Sequence, residues 1–466
     1  MTAPGISVRG GAGGIEADLA DLVTLARGST GLAEELASAS ARCRPVLADP
    51  DLLASALLDP AGVARFEAAL LEALDGPDGL TVLAARFAAR AVVLQGAAAA
   101  YEAADRALAE LADALEWAAG FLWPVAAGAL VLGGAGRVAT NPFGVAADIA
   151  AVLDDPERWL TEHPGLVDDV MGALPGLGSS MSLLTVGLTG PWLGGADVRV
   201  AARRLGRLWP DGSPVVTPLP GDDSGPAVVA PRGVDDLLGA LEVRALRSGP
   251  EHDTIAVRVV TSANGSTAYV VDIPGTADWK APLGPVNPQT HDLGTNVRVL
   301  GGDATTRQQA IAEALRRAGA GPADPVMLVG HSQGGMVAVQ AAADAGTPDF
   351  DFDVRSVVTT GSPIARAEVP SSVQVLALEN AHDVVPQLDS RDNDDSPNVT
   401  TVTFDGQYGS IADNHGIGTA YRPAARAIDA SDDPSLVAFR AGAAPFLVGP
   451  GDEATVVAHV YEIGRR

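Results

Sequence analysis

Residues 325–346 read PVMLVGHSQGGMVAVQAAADAG, and this stretch decides the fold. Its first five residues form a continuous apolar run of the length of a strand buried on both faces. From Met336 onward the residues are apolar and alanine-rich without a breaker until Gly346, which reads as a helix. Between the two, Gly330-His331-Ser332-Gln333-Gly334 fits the pattern G-x-S-x-G. A glycine-rich chain produces that pattern by chance, so its context carries the weight. A strand, a tight turn and a helix in immediate succession lift the serine above a sheet edge, where its hydroxyl is available as a nucleophile. Gly335 keeps the neighbouring position free of a side chain.

Outward from this core the pattern stays that of strands and helices in alternation. Thr254–Thr261 and Thr267–Ile273 are β-branched runs joined through Asn264-Gly265, a strong short-range hairpin signal. A helical pattern covers Thr306–Ala318, VRSVVTT at 354–360 and VQVLAL at 373–378 read as strands, and TVVAHVYEI at 455–463 reads as a C-terminal strand. Apolar strands alternating with helices predict an α/β fold with a mostly parallel sheet flanked by helices.

A serine hydroxyl attacks a carbonyl only when a histidine takes its proton and an acid orients that histidine. In an elbow of this kind the chain order is serine, acid, histidine. Of the seven histidines, His163, His252 and His291 precede Ser332, His331 lies inside the elbow, and His459 sits within the C-terminal strand. His382 and His415 remain, and His415 is favoured because Asp413-Asn-His-Gly-Ile-Gly418 forms a loop beyond the parallel strands. The acid should follow the strand VQVLAL, which runs into Glu379-Asn-Ala-His-Asp383-Val-Val-Pro386. Asp383 is the chosen acid, with Glu379 the alternative nearer the strand end. An oxyanion needs two preset backbone N–H groups. Gln333, directly after the serine, offers one. VVDIPGT leads a strand into Pro274-Gly275-Thr276, so Thr276 is the second candidate, with Gly275 the alternative.

These motifs resemble the α/β-hydrolase family, and within it the lipase and esterase branch. There a PGT-like loop, GHSxGG, a strand ending in GSP and a D-x-V-P acid loop follow one another in that order. Here they are Pro274-Gly275-Thr276, Gly330–Gly335, Gly361-Ser-Pro363 and Asp383-Val-Val-Pro386, with His415 and then Tyr421 after them. The resemblance spans roughly residues 250–466. It implies hydrolysis of an acyl ester through an acyl-Ser332 intermediate. His415 would act as base and then acid, Asp383 would orient it, and the N–H groups of Gln333 and Thr276 would receive the oxyanion. No cofactor and no metal are expected. No long apolar lid lies inside this half of the chain.

The first part of the chain has a different pattern. Ile15, Leu19, Leu22, Ala26, Ala33, Leu36, Ala39 and Cys43 mark one side of a long helix, with Cys43 read as seam packing. A second helix beginning near Pro60 stops at Asp75-Gly-Pro-Asp-Gly79. Leu80, Phe87, Leu94, Tyr101, Leu108 and Leu115 then recur every seven residues, so two long helices should pair as an antiparallel hairpin or bundle. This region resembles the helical hairpin proteins exported by actinobacterial type VII secretion, whose second helix carries Y-x-x-x-D/E near its end. Tyr101-Glu-Ala-Ala-Asp105 fits that pattern, although the Trp-x-Gly turn is absent. The resemblance implies a helical protein partner for residues 1–116.

Residues 117–136 and 170–196 carry no charge, yet Pro124, Pro175 and Pro191 interrupt them, so Gly-rich helices packed on protein are favoured over membrane contact. The expected organisation is a helical hairpin at 1–116, a Gly-rich helical region at 117–205, a Pro/Gly-rich linker at 206–240 and an α/β-hydrolase domain at 241–466.

The composition limits the partners. With 31 Lys and Arg against 58 Asp and Glu, the net charge of −27 repels nucleic acid and anionic lipid alike. One cysteine excludes an internal disulfide framework and a Cys-based zinc site. The stretch MTAPGISVRGGAGGIEADL holds no continuous apolar core of a cleavable signal, so cytoplasm or a non-classical, type VII-like export route is expected. Two other functions share these features. One is a secreted or envelope interaction protein with a vestigial hydrolase scaffold; the other is an acyltransferase using the same three side chains.

Overall fold

The computed structural model describes residues 5–12, 19–96, 198–207, 209–220, 230–278, 286–449 and 453–466. Two compact units divide the chain, Met1–Gly14 with Ala112–Arg466 and Ile15–Leu111. The chain opens on β1 (Ile6–Gly10) of the larger unit. The smaller unit follows, with α1 (Leu19–Cys43), α2 (Pro50–Ser55), α3 (Pro60–Asp75) and α4 (80–96). The uncharged stretches 117–136 and 170–196, the Tyr101–Asp105 motif and the seam positions beyond residue 96 lie outside the described residues.

In the smaller unit small side chains close the helix contacts. Ala26, Ser29, Ala33 and Ser40 of α1 and Ala84 and Ala91 of α4 are buried, and the hydroxyls of Ser40 and Thr81 meet at 3.0 Å. The Asp59 side chain caps α3 by accepting from Gly62 N–H at 2.8 Å. Cys43, expected in the seam, is exposed. It is the last residue of α1, and a 3-10 turn over Arg44–Ala48 in which no residue is buried follows it, so the helix ends where the stripe reaches Cys43.

The larger unit continues with α5 (Val198–Gly206), β2 (Pro214–Pro218), α6 (Val234–Arg247), β3 (Thr254–Ser262), β4 (Thr267–Ile273), α7 (Leu293–Leu300) and α8 (Thr306–Arg317). Then come β5 (Pro325–His331), α9 (Gln333–Ala343), β6 (Asp353–Thr360), β7 (Gln374–Asn380), β8 (Val399–Phe404), α10 (Ile411–Asn414), α11 (Arg422–Asp429), α12 (Pro434–Gly442) and β9 (Ala454–Arg465). Among the described residues, nine strands form one sheet in the order β1-β8-β7-β6-β5-β4-β3-β9-β2. From β4 through β8 the pairing is parallel, and the outer strands are antiparallel. The Asn264-Gly265 hairpin joins β3 and β4, with Gly265 at φ +84°.

Successive strand residues face opposite sides, so β5 feeds two cores. Val326 and Leu328 pack with Ile311, Leu315 and Val337 on one face of the sheet. Met327 and Val329 pack with Leu237, Leu241, Tyr421 and Ile428 on the other. Each fully buried aliphatic side chain contributes about 1.5–3 kcal/mol. The α/β fold with a helical region before it is the expected one.

Three elements differ from the expectation. Ile6–Gly10, within a stretch read as helical, is an edge strand antiparallel to β8. Pro214–Pro218, within the stretch read as linker, pairs with β9. Prolines at both ends of β2 break a sequence pattern, but on an edge strand a missing N–H costs no ladder bond. Val234–Arg247 also begins inside the supposed linker, and Val234, Leu237, Leu238 and Leu241 are buried in the second core. Its N-terminus is capped from far along the chain, since the Asp429 carboxylate accepts from the N–H groups of Val234 and Asp235 at 2.7 and 3.0 Å. The run VTTVTF at 399–404, whose β-branched residues carry a strand signal, forms the last parallel strand.

Candidate active site

The carboxyl ends of the five parallel strands meet along one rim of the sheet. The Pro274-Gly275-Thr276 loop follows β4, Ser332 follows β5, Gly361 follows β6, Asp383 lies three residues beyond β7, and His415 closes the short helix after β8. Open parallel sheets place their ligand sites at this edge.

Ser332 has φ +54° and ψ −123°, a strained conformation for a residue with a side chain. Its N–H donates to Thr360 O at 3.0 Å, which fixes the turn against the neighbouring strand. A Cβ on Gly275 would lie 2.9 Å from Ser332 Cβ, so the loop after β4 reaches the serine. Gly361, at φ +58°, lies under the acid and base: a Cβ there would be 2.8 Å from both Asp383 Oδ2 and His415 Nδ1.

Asp383 is buried and its two oxygens are occupied by different partners. Oδ2 accepts from His415 Nδ1 at 2.7 Å and from Tyr421 Oη at 2.6 Å, while Oδ1 accepts from Val385 N–H at 3.0 Å. With Nδ1–H directed at the carboxylate, the other ring nitrogen of His415 is left as a base. The main chain around His415 is tied back to β7. Asn380 Nδ2 donates to Gly406 O at 2.8 Å and to Asn414 O at 2.9 Å, and its Oδ1 accepts from Gly406 N–H at 3.1 Å. Glu379, the alternative acid, accepts instead from Asn393 Nδ2 at 2.6 Å. His382, the other downstream histidine, lies 2.9 Å from Asp405 Oδ1.

Tyr421 is fully buried, and its hydroxyl is held well above the ordinary tyrosine range by burial first and then by the charge of Asp383. It is therefore a hydrogen-bond donor to that carboxylate. Its order after His415 was visible in the sequence; its role was not. Tyr421→Phe is expected to destabilise the fold by about 1.5–3 kcal/mol, the range for a bond to a charged group. Thermal melts check this, and a variant as stable as wild type would show that the Tyr421 hydroxyl adds nothing to the hold on Asp383.

His331 donates through Nε2 to His415 O at 2.8 Å, with the two ring centroids 4.4 Å apart. Burial, and next the nearby His415, push its pKa down from 6.5 to about 3. The unfolded chain therefore takes up a proton at this ring between about 6.5 and 3 that the folded chain refuses. Its contribution to stability is whole above that window and is lost as pH falls through it. The melting temperature of wild type relative to His331→Gln should fall from pH 7 to pH 4. A constant difference would contradict the assignment.

Thr276 lies in the loop beside Ser332, with its Oγ1 bonded to the Asn296 amide at 2.9 Å. Gln333 begins α9 and is 1% exposed, so its N–H stands at a helix N-terminus with no preceding turn to serve. No group of three or more metal-binding side chains occurs among the described residues.

A profile of the family described as "PGAP1-like alpha/beta domain" matches residues 290–418. That span holds Ser332, Asp383 and His415, and leaves out the Thr276 loop, α6 and β9. It is an α/β-hydrolase-like family, so the scaffold at this rim is hydrolase-like. No curated protein and no solved structure matches the chain.

Proposed function

We propose that this protein hydrolyses carboxylic esters through an acyl-Ser332 intermediate. The observation that supports this most directly is the Tyr421–Asp383–His415 chain on the same strand rim as a serine held at positive φ. Ser332 Oγ attacks the ester carbonyl while His415 Nε2 takes its proton, and Asp383 stabilises the imidazolium that forms. The N–H groups of Gln333 and Thr276 receive the negative oxygen of the tetrahedral intermediate. His415 returns the proton to the departing alcohol. Water, deprotonated by the same nitrogen, then attacks the acyl-serine; as the acyl–Oγ bond breaks, His415 returns that proton to Ser332 Oγ and the acid leaves.

A fluorophosphonate probe tests this, because it phosphonylates only a serine whose base is in place. Label on the intact folded chain should map to Ser332, and the same preparation should hydrolyse p-nitrophenyl butyrate. Folded protein that neither labels nor hydrolyses overturns the proposal and favours a vestigial scaffold. Release of a new ester rather than butyrate when an alcohol is added would turn the assignment to acyl transfer.

A further inference from the structure

Behind the rim lies a group of ionised side chains that the chemistry above does not use. Asp253, Arg307, Asp292 and Arg465 are all buried. Arg307 pairs with Asp253 at 3.2 Å, and Arg465 pairs with Asp292 at 2.8 Å and with Asp211 at 3.1 Å. Asp253 also meets His291 Nδ1 at 3.0 Å and accepts from the Thr290 hydroxyl. Burial alone would raise the Asp253 carboxyl, but Arg307, His291 and Thr290 hold it below the ordinary carboxylate range. Buried ion pairs of this kind are often replaceable by apolar side chains at no cost in stability. The partners of the group in the fold point to what it positions.

The dipeptide His291-Asp292 touches both sides of the oxyanion site through its main chain. His291 O accepts from the N–H groups of Ala277 and Asp278 at 3.1 and 3.3 Å, directly after Thr276. Asp292 O accepts from Gln333 Nε2 at 2.7 Å, and Gln333 Oε1 accepts from Arg307. The Asp292 side chain is held by Arg465, and the buried His291 ring lies 3.0 Å from Asp253 without hydrogen-bond geometry. Asp292 Oδ1 also caps α7 through Thr295 N–H at 3.0 Å.

We propose that His291-Asp292 is a strap that sets the spacing of the two oxyanion donors, with Arg307, through Gln333, and Arg465, through Asp292, as its positioning residues. The loop after β4 and the first residue of α9 belong to different elements. A main-chain hydrogen bond to one and a side-chain clamp on the other make their separation a property of two adjacent residues. Because an oxyanion donor acts only when it meets the charge that develops, a slack clamp lowers the rate of the chemical step and leaves substrate binding almost unchanged.

The inference rests on the proposed esterase activity, and its test separates the two. Gln333→Met removes both side-chain bonds and keeps the N–H, and Arg307→Lys keeps the charge while losing the planar fork. With p-nitrophenyl butyrate, Gln333→Met should lower kcat roughly 10- to 100-fold with KM within about twofold. An alkyl trifluoromethyl ketone, which forms an oxyanion on the serine, should bind more weakly by the same factor. The pH profile should not move, since Asp383 and His415 are untouched. Arg307→Lys should act in the same direction, and the double variant should be no slower than Gln333→Met, because Arg307 acts through that side chain.

Folding is checked by circular dichroism and by titrating active sites with the fluorophosphonate. Per labelled site, a Gln333→Met kcat within about threefold of wild type overturns the strap, as does a double variant whose losses multiply. A wild type without hydrolysis or labelling overturns the esterase reading and the strap with it.

Discussion

Ser332→Ala and His415→Ala are each expected to lower kcat by on the order of 10⁶-fold, and the double variant should be no slower than either single one. The reason is that, in the proposed mechanism, the two side chains form one nucleophile. Without His415, the Ser332 hydroxyl keeps its proton; without Ser332, the base has no attacking group to serve. A residual rate about 10³-fold above water should survive, from the oxyanion donors and substrate positioning. Both variants should fold, because Ser332 is needed for no hydrogen bond of its side chain and His415 is partly exposed. Pre-steady-state and steady-state ester kinetics on the three proteins decide it. Losses that multiply in the double variant would mean that Ser332 and His415 act in separate steps, which contradicts the acyl-serine mechanism.

Gly334→Ala is expected to destabilise the larger unit by about 3 kcal/mol or more, the upper range for overpacking. The added Cβ would stand 2.0 Å from Ile273 O and 2.5 Å from Pro274 O. Both obstacles are main chain at the end of β4, so no rotamer change relieves the clash. Either α9 lifts from the sheet or the loop carrying Thr276 moves away from Ser332. The melting temperature should fall by roughly 6–12 °C at that loss, and activity per folded molecule should fall as well. A stable variant, melting within about 2 °C of wild type, would mean that α9 and β4 are not packed this closely.

Much of the α/β unit is legible in the sequence because its signals are local. The β3–β4 hairpin follows from β-branched runs around Asn264-Gly265, and the elbow from an apolar strand, a turn and a helix within twenty-two residues. Asp383 and His415 follow from chain order and loop position, and the structure brings them to 2.7 Å. The strands Ile6–Gly10 and Pro214–Pro218 were not legible. Each has five residues and a pattern too short to register, and each exists because a partner strand lies beside it, Phe404 against Ile6 and Arg465 against Pro214. Cys43 misled for the opposite reason: its helical spacing was correct, but a stripe does not say where the facing surface ends.

The sequence by itself determined the class of the fold and the turn that carries Ser332, because periodicity and turn chemistry are properties of neighbouring residues. Only the tertiary structure decided that Tyr421 completes the Asp383 shell, that Asn380 pins the His415 segment, and that His291-Asp292 bonds both the loop after β4 and the Gln333 side chain. These contacts join residues 13 to 41 positions apart through hydrogen bonds whose geometry exists only once the sheet has brought its strand ends to one rim. No local pattern in the chain encodes such a distance.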